Sequence, residues 1–384
     1  MKSGKRILGV IAGLGIMLSC KKPYTPPVIT NNINTTYLVV EGVINTGNDS
    51  TFIKLSRTTV LGSAFITNPE TGAKLVVEGD NNKTYPLKEL GRGSYACAPL
   101  NVGNTAKYRV RITTAKNQIY LSDFVVVKDA PPVDSINYAI TANGVQIYAN
   151  AHDPANQTKN YRYEFIETWS FQTYEHAPLE AINMQIVPRV TDITDCWQNN
   201  YATDIILTST AKLSKDVVYQ LPVTTVPSTS EKFLIRYSLL LKEYALTDDA
   251  FNFWQLMKTN TESLGSIFDA QPSKPVGNIH NINNNAEPVI GYISAGLVQQ
   301  KRLFIDRSQL PASWVSFDRY LGCNGTVGAM LISIGNLYEF FDSYYLPYNA
   351  VYNTNTGALV GYEGHLRDCI DCRLNGYNHK PSFW

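Results

Sequence analysis

The sequence predicts an all-β-dominated protein: an immunoglobulin-like or transthyretin-like β-sandwich, then a larger β-rich domain with one inserted α-helix. Three observations carry this. Residues 37 to about 128 hold around seven short runs of alternating apolar and polar residues, separated by turn clusters such as "NTGND", "GDNNK" and "AKNQ". The pair Pro131–Pro132 in "DAPPVDSI" excludes helix and interrupts a sheet ladder, marking a boundary near 130. Beyond it, a single segment switches its apolar period from two to 3.6.

The chain opens with neither strand nor helix of a folded domain. Lys2, Lys5 and Arg6 precede the apolar run Ile7 to Leu18, which is too short for a membrane span of about 20 residues and reads as a secretory signal over 1–19. Ser19 and Cys20 resemble the end of a bacterial lipobox, although Met17 and Leu18 depart from the usual pattern. Cys20 is therefore the candidate lipid anchor. Residues 20–35 contain Pro23, Pro26 and Pro27 and no apolar period, so they read as the acylated Cys with a flexible tether. Extended, such a spacer reaches roughly 45 Å at about 3.1 Å per residue.

Residues 36–130 form the first predicted domain. "KYRVRITT" is its clearest strand, with Tyr108, Val110 and Ile112 alternating with Lys107, Arg109 and Arg111, so one face is buried and the other wet. "TYLVVEGVI", "TFIKLS", "AKLVVEG" and "IYLSDFVVV" follow the same rule. Residues 131–384 form the second, with strands at "GVQIYANA", "NYRYEFIETWSF", "IILTSTA", "VVYQLPV" and "KFLIRYSLLLKEY". "LTDDAFNFWQLMKTNTESLG" is the helix, near 247–264. Thr247 is its N-cap, Asp248 and Asp249 favour the positive end of the dipole, and Ala250, Phe253, Trp254 and Met257 share one face. Strands at "EPVIGYISAG" and "QQKRLFID" lead into an irregular, aromatic C-terminal tail.

Loss of Lys2, Lys5 and Arg6 with the signal leaves 30 basic against 32 acidic side chains, about −2. With no basic stripe to release counterions, nucleic acid is excluded as a partner. Five cysteines accompany Cys20. An exported chain permits disulfides, and the expected pairs are Cys369 with Cys372 and Cys196 with Cys323. Cys97, in the strand-like "GSYACAPL", is expected to be a buried free thiol.

Candidate chemistry is thin. No G-x-S-x-G elbow, H-E-x-x-H, P-loop or dinucleotide fingerprint occurs, so no catalytic residue, cofactor or metal is assigned. His365, Cys369, Cys372 and His379 supply the donor types of a zinc site, but the flanking spacings match no finger and an exported C-x-x-C favours a disulfide. Asp192, Asp195 and Asp204 near Trp197 are carboxylates of the kind a glycosidase uses. "HDPANQTKNYRYE" lacks the glycine and spacing of a calcium loop and reads as a turn. "LYEFFDSYYLPY" either packs a sheet face or offers rings to a sugar or protein. "SIFDAQPSKPVGNI" links the helix to the next strand; it is a structural lid or a binding loop carried by Phe268, Asp269, Gln271, Pro272 and Asn278.

"EYALTDDAFNFWQLMKTNTESLGSIFDAQPSKPVGNIHNINNNAEPVIGYISAG" strongly resembles a hallmark region of Bacteroidota lipoproteins grouped as the domain-of-unknown-function family 4249. Phe253 and Trp254 in the helix, "GSIFDAQPS", "GNI" and "PVIGY" carry the resemblance. "YLVVEGVI", "IKLSRT" and the closing "DCRLNGYNHKPSFW" extend it across the mature chain. The resemblance implies an outer-membrane lipoprotein, a non-catalytic accessory or binding component beside a TonB-dependent transporter. Its partners would be the membrane, through acylated Cys20, the transporter, and a glycan or peptide ligand. The alternatives are an autonomous carbohydrate- or peptide-binding surface module and a surface hydrolase. Lys21 and Lys22 stand where surface-exported relatives carry acidic residues, so the face of the membrane stays open.

Overall fold

Strand Tyr108–Thr113 shows how the alternation works: Tyr108, Val110 and Ile112 are buried, while Arg109 and Arg111 reach outward to the Glu78 carboxylate at 2.7 and 2.5 Å. The computed structural model describes residues 36–59, 68–262, 275–323, 329–341 and 344–384. The signal over 1–19 and the tether with Cys20 lie outside them. All described residues except Thr36 and Thr59 belong to one compact unit. The protein is all-β dominated, as its sequence predicts.

The first core lies inside an eleven-stranded sheet whose path begins at Leu38–Asn45 and Thr51–Arg57 and continues through Ser94–Cys97, Thr84–Gly91, Lys74–Gly79, Tyr108–Thr113 and Ile119–Ser122. Leu38, Val40, Ile53 and Leu55 from one end of this path share a single apolar cluster with Leu75, Val77, Val110 and Ile112 from the other. The sheet therefore folds over on itself, and burying one face of each strand is what holds it.

The division at 130 needs a correction. Residues assigned by sequence to the second domain return to the first sheet. Ile279–Asn281 runs antiparallel to Ile119–Ser122, while Ile290–Gly291 and Ser294–Gly296 run parallel to Leu38–Asn45, with Val39 opposite Ile290 and Val43 opposite Ser294. Ile279, Val289, Ile293 and Ala295 are buried in the first core. The physical reason is the Leu38–Asn45 strand, whose second edge would otherwise present unpaired backbone groups.

This return explains one glycine. Gly291 has φ +139°, and a Cβ there would stand 2.1 Å from the Val40 carbonyl oxygen. Gly291→Ala should cost about 2 kcal/mol or more through strain and overpacking. Urea unfolding checks this against Gly103→Ala, where a Cβ would meet nothing within 4 Å; equal midpoints would contradict it.

The second core lies between two sheets. Val133–Thr141, Gly144–His152 and Val217–Pro227 form one. Asp195–Tyr201, Asn160–Gln172, Arg236–Leu246 and Gln299–Asp306 form the other, with Ile206–Ser209 added on Asn160–Gln172. Val145, Ile147, Phe171, Leu239, Leu241 and Ile305 fill the space between. Glu167, Asp216 and Glu243 are acids buried there. Glu167 accepts bonds from Tyr237 Oη (2.9 Å), Asn200 Nδ2 (2.7 Å) and Lys232 Nζ (2.6 Å). Glu243 is fully buried, with the Tyr163 hydroxyl beside its carboxyl.

The expected helix spans Asp248–Glu262. Thr247 Oγ1 accepts from the Ala250 N–H at 3.2 Å, as an N-cap should. Ala250 and Phe253 are buried. A further, small sheet joins Ala329–Ser333, Leu359–Leu366 and Tyr345–Tyr352.

The tail is a strap rather than a loose end, and its disulfides differ from the expected pairs. Cys196 bonds Cys372, and Cys323 bonds Cys369. The Cys372 N–H donates to the Ile193 carbonyl, and Trp197 and Tyr377 exchange backbone bonds at 2.8 and 2.9 Å, which lays the tail along the Asp195–Tyr201 strand. The helical turn Arg367–Ile370 ends at fully buried Asp371, whose carboxylate is held by Arg367 and Arg373. Each thiol of the C-x-x-C thus meets a different element. Cys97 is the free cysteine among the described residues, half-buried at the end of its strand rather than buried.

Candidate functional site

Alternation leaves charged residues on the outer face of the second sandwich. Arg162 and Glu164 point outward from Asn160–Gln172. Lys242 and Tyr244 do so from the adjacent strand, in register as Arg162–Tyr244 and Glu164–Lys242. This face, together with Glu41, Val43, Phe52 and Lys54 of the first sheet, residues 201–205, and Phe253, Trp254 and Met257 of the helix, lines a cleft of about 1040 Å³.

The floor of the cleft is a fixed polar array. The Arg162 guanidinium lies 3.8 Å over the Trp254 ring and 5.2 Å from that of Tyr244, and donates to Glu164. Tyr244 Oη donates to the other Glu164 oxygen at 2.7 Å. Burial pushes the Arg162 pKa down to about 10, against the attraction of Tyr244 and Glu41. It stays a cation at physiological pH. Around this floor Phe52 and Tyr201 expose 57% and 64% of their surfaces, leaving rings free to meet a ligand. Glu41, Lys54, Asp49 and Asp204 are exposed at its borders.

A glycosidase needs a carboxyl held protonated beside a second, ionised one. Glu164 is engaged by Arg162 and Tyr244, and the strongly shifted acid of the fold, Glu243, faces the core. The cleft presents exposed rings and fixed charges of both signs, groups suited to holding a ligand. A second cavity of about 690 Å³ surrounds Arg319, but that guanidinium is already bonded to Glu231 and Gln198 and stacked 4.7 Å over Phe171.

The sequence candidates scatter. Cys20, Phe268, Asp269, Gln271 and Pro272 lie outside the described residues. Asn278 is buried and structural: its side chain closes two hydrogen bonds of 2.9 Å with the Ile293 backbone. Cys196, Cys323, Cys369 and Cys372 are all in disulfides, leaving no thiolate for a metal. Among the described residues no group of three or more His, Cys, Asp or Glu is placed to hold one.

Asp192 caps the Thr194 N–H and Asp195 accepts from Gln172, whereas Asp204 borders the cleft. In the His152–Glu164 segment Asp153 closes a turn. Burial works to raise its carboxyl, but the N–H groups of Thr158, Gln157 and Ala155 outweigh it and hold the pKa below the usual range. The block from Leu337 to Tyr348 is split, with Phe340 buried and Tyr338 and Tyr344 exposed. Among the described residues no helix is long and apolar enough to cross a membrane.

Residues 21–302 match the domain of unknown function family DUF4249. The chain belongs to this family. Several of the family-like motifs now have structural reasons. "YLVVEGVI" is the strand that receives the returning segments, the glycine of "PVIGY" clears the Val40 carbonyl, and the asparagine of "GNI" ties down Ile293.

No curated protein matches. Two solved structures are similar in part. One is a DUF4785 family protein from Legionella pneumophila, 9% identical, covering 54% of this chain and 52% of that one with a TM-score of 0.19. The other is the BSP domain of a biofilm-associated protein, 8% identical, covering 72% and 60% with a TM-score of 0.15. This DUF4249 chain spans about half the length of the first. Likeness at that level carries no argument about activity.

Proposed function

We propose that this DUF4249 protein is a non-catalytic, lipid-anchored outer-membrane component that binds a ligand for a TonB-dependent nutrient-uptake system. The observation that carries the binding part is the cleft, which combines exposed rings with fixed charges of both signs. Ligand sites are built this way, with apolar surface for affinity and few polar groups for orientation. The anchoring part comes from the lipobox-like end at Cys20, since acyl chains hold a protein at a bilayer. The free rings of Phe52 and Tyr201 also favour a second reading, a glycan- or peptide-binding module acting alone.

Affinity purification of the tagged protein from mildly solubilised native membrane separates these readings. A transporter recovered in stoichiometric amount with wild type, and lost with Cys20→Ala, is the expected result. Recovery of the protein alone would replace the accessory role with the autonomous one.

A further inference from the structure

We propose that the cleft takes a small ligand with one carboxylate and an apolar body, its carboxylate seated against the Lys242 ammonium. The inference deepens the reading of the cleft as a ligand seat and depends on it. Lys242 is half-buried in the cleft wall, and its ammonium makes no hydrogen bond or ion pair with any described residue. Glu164, opposite in register, is engaged by Arg162 and Tyr244, and Asp49, which accepts from Gln300 Nε2 at 2.6 Å, attracts the ammonium without bonding it.

A cation withdrawn from water without a direct partner is costly, and an arriving anion relieves that cost. Burial pulls the ammonium pKa below the usual lysine range, against the attraction of Asp49. Arg162 cannot serve the ligand equally, because its guanidinium is paired and stacked. Phe52, Tyr201 and Trp254 provide the surface for an apolar body. Glu41 and Asp204 on the same lining repel a multiply charged anion, which favours a single carboxylate over a phosphate.

Dansylglycine and its neutral amide, dansylglycinamide, differ only in the charge of interest and report binding by fluorescence. Wild type is expected to bind the acid about tenfold or more tightly than the amide, the scale of one charged hydrogen bond. Lys242→Met should erase that preference while leaving amide binding in place, which also shows that the variant is folded. Lys242→Arg should retain the preference, and Phe52→Ala should weaken both probes alike. Equal binding of the two probes by wild type, or a preference that survives Lys242→Met, overturns the carboxylate inference and leaves the ligand seat standing. If neither probe binds, both fall.

Discussion

Replacing Cys196 and Cys372 together with serine is expected to lower the unfolding free energy by several kcal/mol. The bond closes a loop of 176 residues, for which chain entropy alone suggests about 5 kcal/mol, and measured disulfides typically give about 2–4 kcal/mol. The Cys323–Cys369 bond closes 46 residues and should be worth about 4 kcal/mol on the same basis. The two effects will not add, since both bonds hold one strap. Cys97→Ser is the control, because that thiol is unbonded. Thermal melts with and without reductant read the effect. Peptide mapping without reductant separates these bonds from a Cys369–Cys372 bridge, because cleavage at Arg367 and Arg373 releases one peptide carrying both Cys369 and Cys372. Links from it to the Cys196 and Cys323 peptides are expected. A direct Cys196–Cys323 link would refute the pairing.

The second large effect is a pH dependence of stability set by Glu243. Burial pushes its carboxyl up to about 8, with Asp134 and Asp216 adding to the rise and the nearby Tyr163 hydroxyl opposing it. The unfolded carboxyl titrates near 4.5. Between those values the native state keeps a proton that the unfolded state has released, so stability falls as pH rises, by about 1.4 kcal/mol per unit at most. The loss starts near pH 4.5 and is complete above about 8. Glu243→Gln removes it. The stability of the variant relative to wild type should therefore climb across that window, by a few kcal/mol in all. Urea unfolding at pH 5, 6.5 and 8 gives the difference; parallel curves for the two proteins would sink the idea.

Much of the fold was legible because it is local. Burial alternates along Tyr108–Thr113 as the residues alternate, and Thr247 caps the helix where a capping residue precedes an apolar face. The return of 279–296 was hidden because strands of two or three residues carry no period, and their partners lie far away in sequence. Disulfide pairing was hidden for a related reason: the spacing of Cys369 and Cys372 says nothing about the distant Cys196 and Cys323, or about Ile193, whose carbonyl holds the Cys372 N–H. The cleft was missed because Arg162, Glu164, Lys242 and Tyr244 read as the wet side of ordinary strands. A signal was present in "KFLIRYSLLLKEY", where Arg236, Ser238, Lys242 and Tyr244 fall on one face, opposite Tyr237, Leu239 and Leu241.

The parallel pairing of Ile290 with Val39 constrains the order in which the molecule can be made. A chain emerging from its N-terminus must hold Leu38–Asn45 with one edge open until some 250 further residues have appeared. Contacts so distant in sequence form slowly, since loop closure precedes any gain from them. Through that interval the exposed edge can pair with another chain. Assembly of this protein therefore finishes rather than begins with its first strand, and the nascent chain is the form most in need of protection from its own copies.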